Sequence, residues 1–351
     1  METTNKVLKR IYVSVALLLV GAAIIFGIRR FMPQPDAEKT YTELKGEIFH
    51  TYFRIKYDLN QDYSSAVDST FKAFSHSLNP FDSTSLISDI NRNRSMQTDS
   101  MLRYVWLAAR EISEKSGGTY DVTCSPFINA WGFGFDTLNK VTPETLDSLR
   151  TFVGYQKVRL QGDQFIKQDA RTIFDFSSIS KGYCSDLVGQ TLHAKGSQNY
   201  LVELGGEIAF KGLNPEGQPW RVGINKPIED TSGVISELEA IVTLDMPKGG
   251  LATSGNYRNF KLVNGKKVAH TINPLTGYPV QTDVLSATIL APSCMLADGL
   301  ATACMTMTSK DVPAFIAKFP GVEYLLILPA DGNRGFKMQM SDGMRRLISE
   351  P

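Results

Sequence analysis

The 351-residue chain has no charge surplus: 37 lysines and arginines stand against 36 aspartates and glutamates, for a formal net charge of +1. No basic run or stripe crosses the main body, which argues against nucleic acid as a partner. Cysteine is scarce. Cys124, Cys184, Cys294 and Cys304 form no C-x-x-C pair and no His/Cys cluster, so a structural zinc site is not expected. Unpaired core thiols are the default reading, with one disulfide left open should the domain be exported. Internal repeats and low-complexity tracts are absent. Apolar residues make up 42% of the chain, enough for a sizeable core.

Long hydrophobic runs are missing too, with one exception. Ile11–Ile28, IYVSVALLLVGAAIIFGI, carries no charge and is about the length needed to cross a bilayer core as a helix. Lys6, Lys9 and Arg10 precede it, and Arg29 and Arg30 follow it. No small-x-small cleavage site follows the run cleanly, and no cysteine lies near it for lipid attachment. The segment reads as an uncleaved anchor, with the basic flanks only slightly favouring an inside N-terminus. The polar, proline-containing stretch from Phe31 to about Glu47 reads as a spacer. The expected division is 1–10 on the cytoplasmic side, 11–28 as the anchor, 29–44 as a linker and 45–351 as a folded domain outside the cytoplasmic membrane.

Within that domain, helices are interspersed with hairpins. DSMLRYVWLAAREISEKSGG is an amphipathic helix with Leu102, Val105, Trp106, Ala109 and Ile112 on one face and Gly117 to end it. ISKGYCSDLVGQTLHAKG repeats the pattern with Tyr183, Leu187, Val188 and Leu192. HTYFRIKYDL, EAIVTLDM and VLSATILAP read as strands, YLVELGGEIAFKG as strand, Gly-Gly turn and strand, and EYLLILPADGNRGFKMQM as a hairpin around Asp331-Gly332. The mixture favours α+β over a doubly wound sheet.

Several short segments have chemical potential. Asp298 and Thr302, four apart in MLADGLATACMTM, share a helix face and offer two hard oxygens to one point, a donor set suited to magnesium. A helix cap and a core threonine explain the same pair. DFSSISKGYCSD opens a helix with small residues, and Lys181 lies one turn in, a pattern that can bind an anion. Gly205-Gly206 allows a turn or a close ligand approach. LATSGNYRNF reads as a small-residue loop carrying Arg258, and HTINPLTGYPV carries His270.

In order, SGGTYDVT (116–123), DFSSISKGYCSD (175–186), GGEI (205–208), TSGNYR (253–258), HTINPLTGYP (270–279) and ADGLAT (297–302) resemble the motif series of the ApbE family, the FAD:protein FMN transferases. The resemblance runs from about Lys45 to the C-terminus. It implies an α+β, T-fold-like domain that takes FAD as substrate and Mg2+ as cofactor. Asp298, Thr302 and the backbone carbonyl of Ser178 would hold the metal. Thr119, Tyr120, Asp121, Asp175, Lys181 and the backbone near Ile272 would contact FAD, with Phe81 as an early aromatic contact. Two departures stand out: Phe49-His50-Thr51 replaces the family's Met-Gly-Thr, with Phe49 as the residue there to pack on the flavin, and Ser177-Ser178 replaces a glycine pair.

The implied reaction is attack by a threonine hydroxyl of an acceptor protein on the phosphorus of the FMN half of FAD, with AMP leaving. Lys181 adds positive charge near the phosphates. A base must take the hydroxyl proton, and His270 is the candidate; a histidine holding the Pro274–Gly277 turn is the structural alternative, with Asp121 or a metal-bound water next in line as base. Expected acceptors are membrane redox-complex subunits or exported flavoproteins. FAD hydrolysis to FMN and AMP, and flavin binding without catalysis, are the competing readings.

Overall fold

Alternating apolar residues build the strands, and the strands place the site. The computed structural model describes residues 40–134, 141–228, 237–255, 260–263, 266–330 and 335–350. The chain begins with β1 (Thr42–Ile48) and β2 (Thr51–Tyr57), then α1 (Ser64–Leu78), α2 (Leu86–Asn91), α3 (Ser100–Lys115), α4 (Ser125–Ala130) and α5 (Pro143–Arg150). It continues through β3 (Val158–Gln161), β4 (Gln164–Lys167), α6 (Ser180–Ala194), β5 (Tyr200–Leu204), β6 (Glu207–Lys211), β7 (Trp220–Asn225), β8 (Leu238–Leu244) and β9 (Lys248–Gly255). It ends with β10 (Phe260–Val263), β11 (Lys266–Ala269), β12 (Ser286–Ala291), α7 (Cys294–Cys304), α8 (Val312–Ile316), β13 (Glu323–Pro329), β14 (Phe336–Met340), α9 (Asp342–Leu347) and β15 (Ile348–Ser349).

The main sheet has eight strands in the order β1-β2-β5-β6-β9-β12-β13-β14. Every neighbouring pair is antiparallel. Its two faces are sorted by strand periodicity. Val202, Leu204, Ala209, Ala252, Ala287, Ile289 and Leu326 join the core that contains the large helices. Their neighbours Leu201, Ile208, Phe210, Leu251, Leu290, Leu325 and Ile327 join a second core with Trp220, Ile224, Val242 and Leu244 from a small sheet ordered β15-β8-β7. This is the expected α+β architecture, built from antiparallel sheets and packed helices.

α3 forms as its pattern predicts. Asp99 caps it by accepting the Leu102 N–H at 2.8 Å, and the predicted apolar face is buried. Gly117 ends it at φ +68°, a left-handed conformation that glycine adopts without steric cost. On α6, Tyr183, Val188 and Leu192 are buried, while Leu187 is partly exposed. The four cysteines are buried free thiols.

Two sequence readings change. β1 starts at Thr42, inside the stretch whose composition suggests a spacer. It is an edge strand with a largely solvated face, so its sequence looks polar. Leu251–Gly255 belongs to β9 rather than to a loop, while Arg258 lies outside the described residues. β13 and β14 pair as expected, but Asp331-Gly332 between them lies outside the described residues. Among the described residues no helix is long and apolar enough to cross a membrane; Ile11–Ile28 lies outside them.

Candidate active site

The site grows from the contact between α6 and α7. A Cβ on Gly182 would lie 2.3 Å from the Cys294 carbonyl oxygen and 2.8 Å from the Asp298 Cβ, so only glycine lets the helices meet this closely. The contact lets the Gly182 N–H donate to Asp298 Oδ2 at 2.9 Å. Asp186, one turn further along α6, accepts the N–H groups of Cys294 and Met295 at 2.9 and 2.8 Å, and so caps α7 from a neighbouring helix. Burial is the main reason its pKa rises to about 6, against the pull of those two donors. Ser293 supplies the local cap by accepting the Leu296 N–H. Asp298, in the second turn, is therefore not the cap of its helix.

Asp298 is 4% exposed, and its Oδ1 accepts no hydrogen bond from the described residues. Burial raises its pKa, while the Lys181 ammonium and the Gly182 N–H act in the opposite direction. One turn on, Thr302 Oγ1 lies 3.4 Å from the Ser178 carbonyl oxygen and 3.3 Å from Ser254 Oγ. Thus the structure brings Ser178 to Thr302, and it adds Ser254, from the end of β9. The donors around this point are a carboxylate, two hydroxyls and a carbonyl, all hard oxygens, with one carboxylate oxygen uncommitted. That set fits Mg2+, which takes few carboxylates and keeps its remaining waters. Among the described residues no group of three or more His, Cys, Asp and Glu side chains forms an alternative metal cluster.

Lys181 comes from the first turn of α6, and its Nζ lies 2.5 Å from Glu207 Oε1. Burial disfavours its charge, but the carboxylates of Glu207 and Asp298 outweigh this and raise its pKa. Glu207 begins β6, directly after the two-residue Gly205-Gly206 turn. Gly205, at φ +66°, donates its N–H to the Tyr52 carbonyl at 2.9 Å, which places this turn beside the start of β2.

The other predicted contacts are more dispersed. Tyr120 is buried, with its hydroxyl 2.9 Å from Ser178 Oγ, and burial raises its pKa. Asp175 Oδ1 accepts the Ser177 N–H at 2.9 Å and shapes the loop that presents the Ser178 carbonyl. Asp121 is committed to the scaffold: Oδ1 accepts from Thr123 N and Oγ1 at 2.8 and 2.7 Å, and Oδ2 accepts from Tyr155 N at 2.7 Å.

Phe49 packs its ring on Phe71 and Phe74 of α1, with centroids 6.1 and 5.2 Å away. It and His50 have φ of 52° and 58°, so the Phe-His replacement puts two non-glycine residues in left-handed backbone, at a cost of about 1–2 kcal/mol each. Phe81 is 68% exposed, and its ring lies 6.3 Å from that of His50.

Ile272 is buried and bridges to Pro279. The turn that follows is closed by Gly277 N–H to Asn273 O at 2.8 Å and Asn273 N–H to Tyr278 O at 2.9 Å, and Trp131 Nε1 donates to Gly277 O at 2.8 Å. His270 is half-buried at the entrance to this segment. A cavity of about 830 Å³ is lined by Thr119, Asn273, Tyr278, Thr306, Thr308 and Lys310 among others, and His270 is not among its lining residues. It touches the predicted flavin contacts at Thr119 but does not include Lys181, Asp298 or Thr302.

Ser254, Glu207 and Asp186 join the site although no expectation from the sequence rested on them. All three stand inside the matched motifs, but their contacts are long-range and no local spacing reveals them.

A family model, the ApbE family, matches residues 49–326. A Vibrio cholerae protein named FAD:protein FMN transferase is 32% identical over 318 residues, covering 88% of this chain and 92% of that protein. A Haemophilus influenzae protein of the same name is 32% identical over 346 residues, covering 94% of this chain and 98% of that protein. A solved structure, flavin transferase ApbE from Vibrio cholerae, superposes with a TM-score of 0.76 at 31% identity, covering 88% of this chain and 99% of that one.

Proposed function

The chain belongs to the ApbE family and has the activity of an FAD:protein FMN transferase, and we propose that it moves FMN from FAD to a threonine hydroxyl of an acceptor protein, with AMP as the leaving group. The observation that carries the reading is the convergence of the Thr302 hydroxyl, the Ser178 carbonyl and the Ser254 hydroxyl one turn from the Asp298 carboxylate. Asp298, Thr302 and the Ser178 carbonyl would hold Mg2+, which when bound neutralises charge on the pyrophosphate. Lys181, in the first turn of the helix that follows the Ser178 loop, adds a fixed positive charge to the same phosphates.

The acceptor oxygen forms a bond to the phosphorus of the FMN half. The bond from that phosphorus to the bridging oxygen breaks, and AMP takes the bridging oxygen away. The hydroxyl proton passes to a base, which we assign to His270; Asp121 is a poor substitute because its oxygens already accept three hydrogen bonds. Thr119, Tyr120, Asp175, Ile272 and Phe81 are the proposed surroundings of the flavin nucleotide. The acceptors fitting this chemistry are membrane redox-complex subunits and exported flavoproteins with an accessible threonine.

Mass spectrometry after mixing the protein with FAD, magnesium and a threonine-bearing acceptor tests the assignment. The expected result is an acceptor heavier by one FMN, together with free AMP. Free FMN and AMP without labelled acceptor would mean hydrolysis, and intact FAD would mean binding alone.

The proposed setting is the outer side of the cytoplasmic membrane, with Ile11–Ile28 as an uncleaved anchor. Alkaline carbonate should leave the full-length chain in the membrane fraction. A soluble species beginning near Phe31 would overturn the anchor.

A further inference from the structure

The reaction as assigned gives Glu207 no role, yet its placement is unusual. Its side chain is 8% exposed, Oε1 lies 2.5 Å from Lys181 Nζ, and Oε2 is buried with no hydrogen-bond partner. Its backbone is tied to the same helix: Ser185 Oγ, one turn beyond Lys181 on α6, donates to the Glu207 carbonyl at 3.1 Å. That bond ties the helix to the strand one turn from the ion pair. Lys181, by contrast, keeps 36% of its side-chain surface in solvent.

For stability alone this is a poor arrangement. Burying a carboxylate with one oxygen unpaired costs desolvation energy that a single ion pair scarcely offsets, and apolar residues of similar volume usually do as well. What the pair supplies is position. A lysine ammonium is a point charge on a flexible four-carbon stem, and ordering that stem costs rotamer entropy. If the stem is ordered before substrate arrives, the cost does not fall on binding or on the transition state. An ammonium has three donors, and one directed back to Glu207 leaves others for a ligand.

We propose that Glu207 is a positioning residue: it holds the Lys181 ammonium where the FAD pyrophosphate binds, and it influences the reaction only through that lysine. The inference rests on the reading of Lys181 as a phosphate contact. Its signature is therefore coupling between the two side chains, and not simply loss of activity.

The experiment is a double-mutant cycle on the full-length protein, with the FAD dissociation constant read from flavin fluorescence in the presence of magnesium. Glu207→Gln should weaken FAD binding about tenfold, the scale of a misplaced charged hydrogen bond. In a Lys181→Gln background the same change should alter it less than about twofold, since non-additivity marks groups that act as a unit. Thermal unfolding should add a second sign: Lys181→Gln alone, which leaves a buried carboxylate unpaired, should melt lower than the double variant. Should Glu207→Gln fail to fold, Glu207→Asp, which keeps the charge but shortens the reach, runs the same cycle. Equal losses in both backgrounds, or wild-type affinity in the Glu207 variant, would overturn the role of Glu207 alone. Wild-type affinity in Lys181→Gln would instead remove the phosphate contact, and the proposal with it.

Discussion

The loop at Asp121 and the helix at Asp298 treat a carboxylate in opposite ways. Both residues lie in matched motifs, and burial raises the pKa of each. Asp121 commits its two oxygens to three donors, the N–H and hydroxyl of Thr123 and the N–H of Tyr155. Those bonds tie the loop after α3 to the short segment leading into β3. Asp298 accepts one N–H, from Gly182, and its other oxygen accepts none from the described residues; Thr302 lies one turn further along the same helix. A satisfied buried carboxylate holds the fold; one with spare capacity can take a cation. Burial alone does not separate the two cases, and neither does membership in a motif.

The sharpest way to break this comparison is to remove each carboxylate. Asp298→Ala takes away the single charged donor of the proposed metal site, and turnover should fall on the order of a thousandfold, a loss of several kcal/mol of transition-state stabilisation. The circular dichroism spectrum should be unchanged. Retained turnover at low magnesium would mean that Asp298 serves only to bind the Gly182 N–H.

Asp121→Asn should give the reverse pattern. An amide places a donor group where the carboxylate accepts only, so a buried N–H or hydroxyl loses its partner at a cost of about 1–3 kcal/mol. Urea denaturation should show that loss, while the folded fraction keeps an FAD affinity within about threefold of wild type, the spread expected of a change that touches no ligand. A large loss of FAD affinity at unchanged stability would return Asp121 to the flavin site.

What the sequence made legible follows the same division. α3 was legible because its face repeats at the helical period and its ends carry Asp99 and Gly117, all local features. Ser178, Lys181, Asp298 and Thr302 were picked out because the motif series resembles that of a known family. Contacts that join distant segments were not. Gly182 is small because Cys294 and Asp298 crowd it, and Asp186 is acidic because it caps a helix other than its own. Leu251–Gly255 looks like a loop because its residues are small, but it continues β9, which α7 approaches closely at the preceding residue: a Cβ on Gly250 would fall 2.1 Å from the Cys294 Cα. Small size in that strand is a packing requirement of the fold around it. β1 looks like a spacer because an edge strand exposes much of its length.

A test at His270 sharpens the comparison by asking whether Asp121 acts as a base. The Asn273–Gly277 turn is closed by its own backbone and by Trp131, so a histidine is not needed for those bonds. As the base, His270 handles the acceptor proton and does not grip the flavin. His270→Asn should therefore lower turnover about a hundredfold, the usual scale for a lost general base, with FAD affinity nearly unchanged. Asparagine still hydrogen-bonds, so it partly preserves any structural contribution. In the wild type the rate should fall at the acid end as an imidazole takes up a proton, because only the neutral ring accepts. The variant should lose that limb. A variant that binds FAD poorly yet keeps the same limb would place His270 in the scaffold and move the base elsewhere. Asp121 could take the role only by giving up a bond to Thr123 or Tyr155, so the Asp121→Asn variant would then have to lose the limb as well as its stability. If that variant keeps the limb, proton removal falls to a water at the proposed Asp298–Thr302 site.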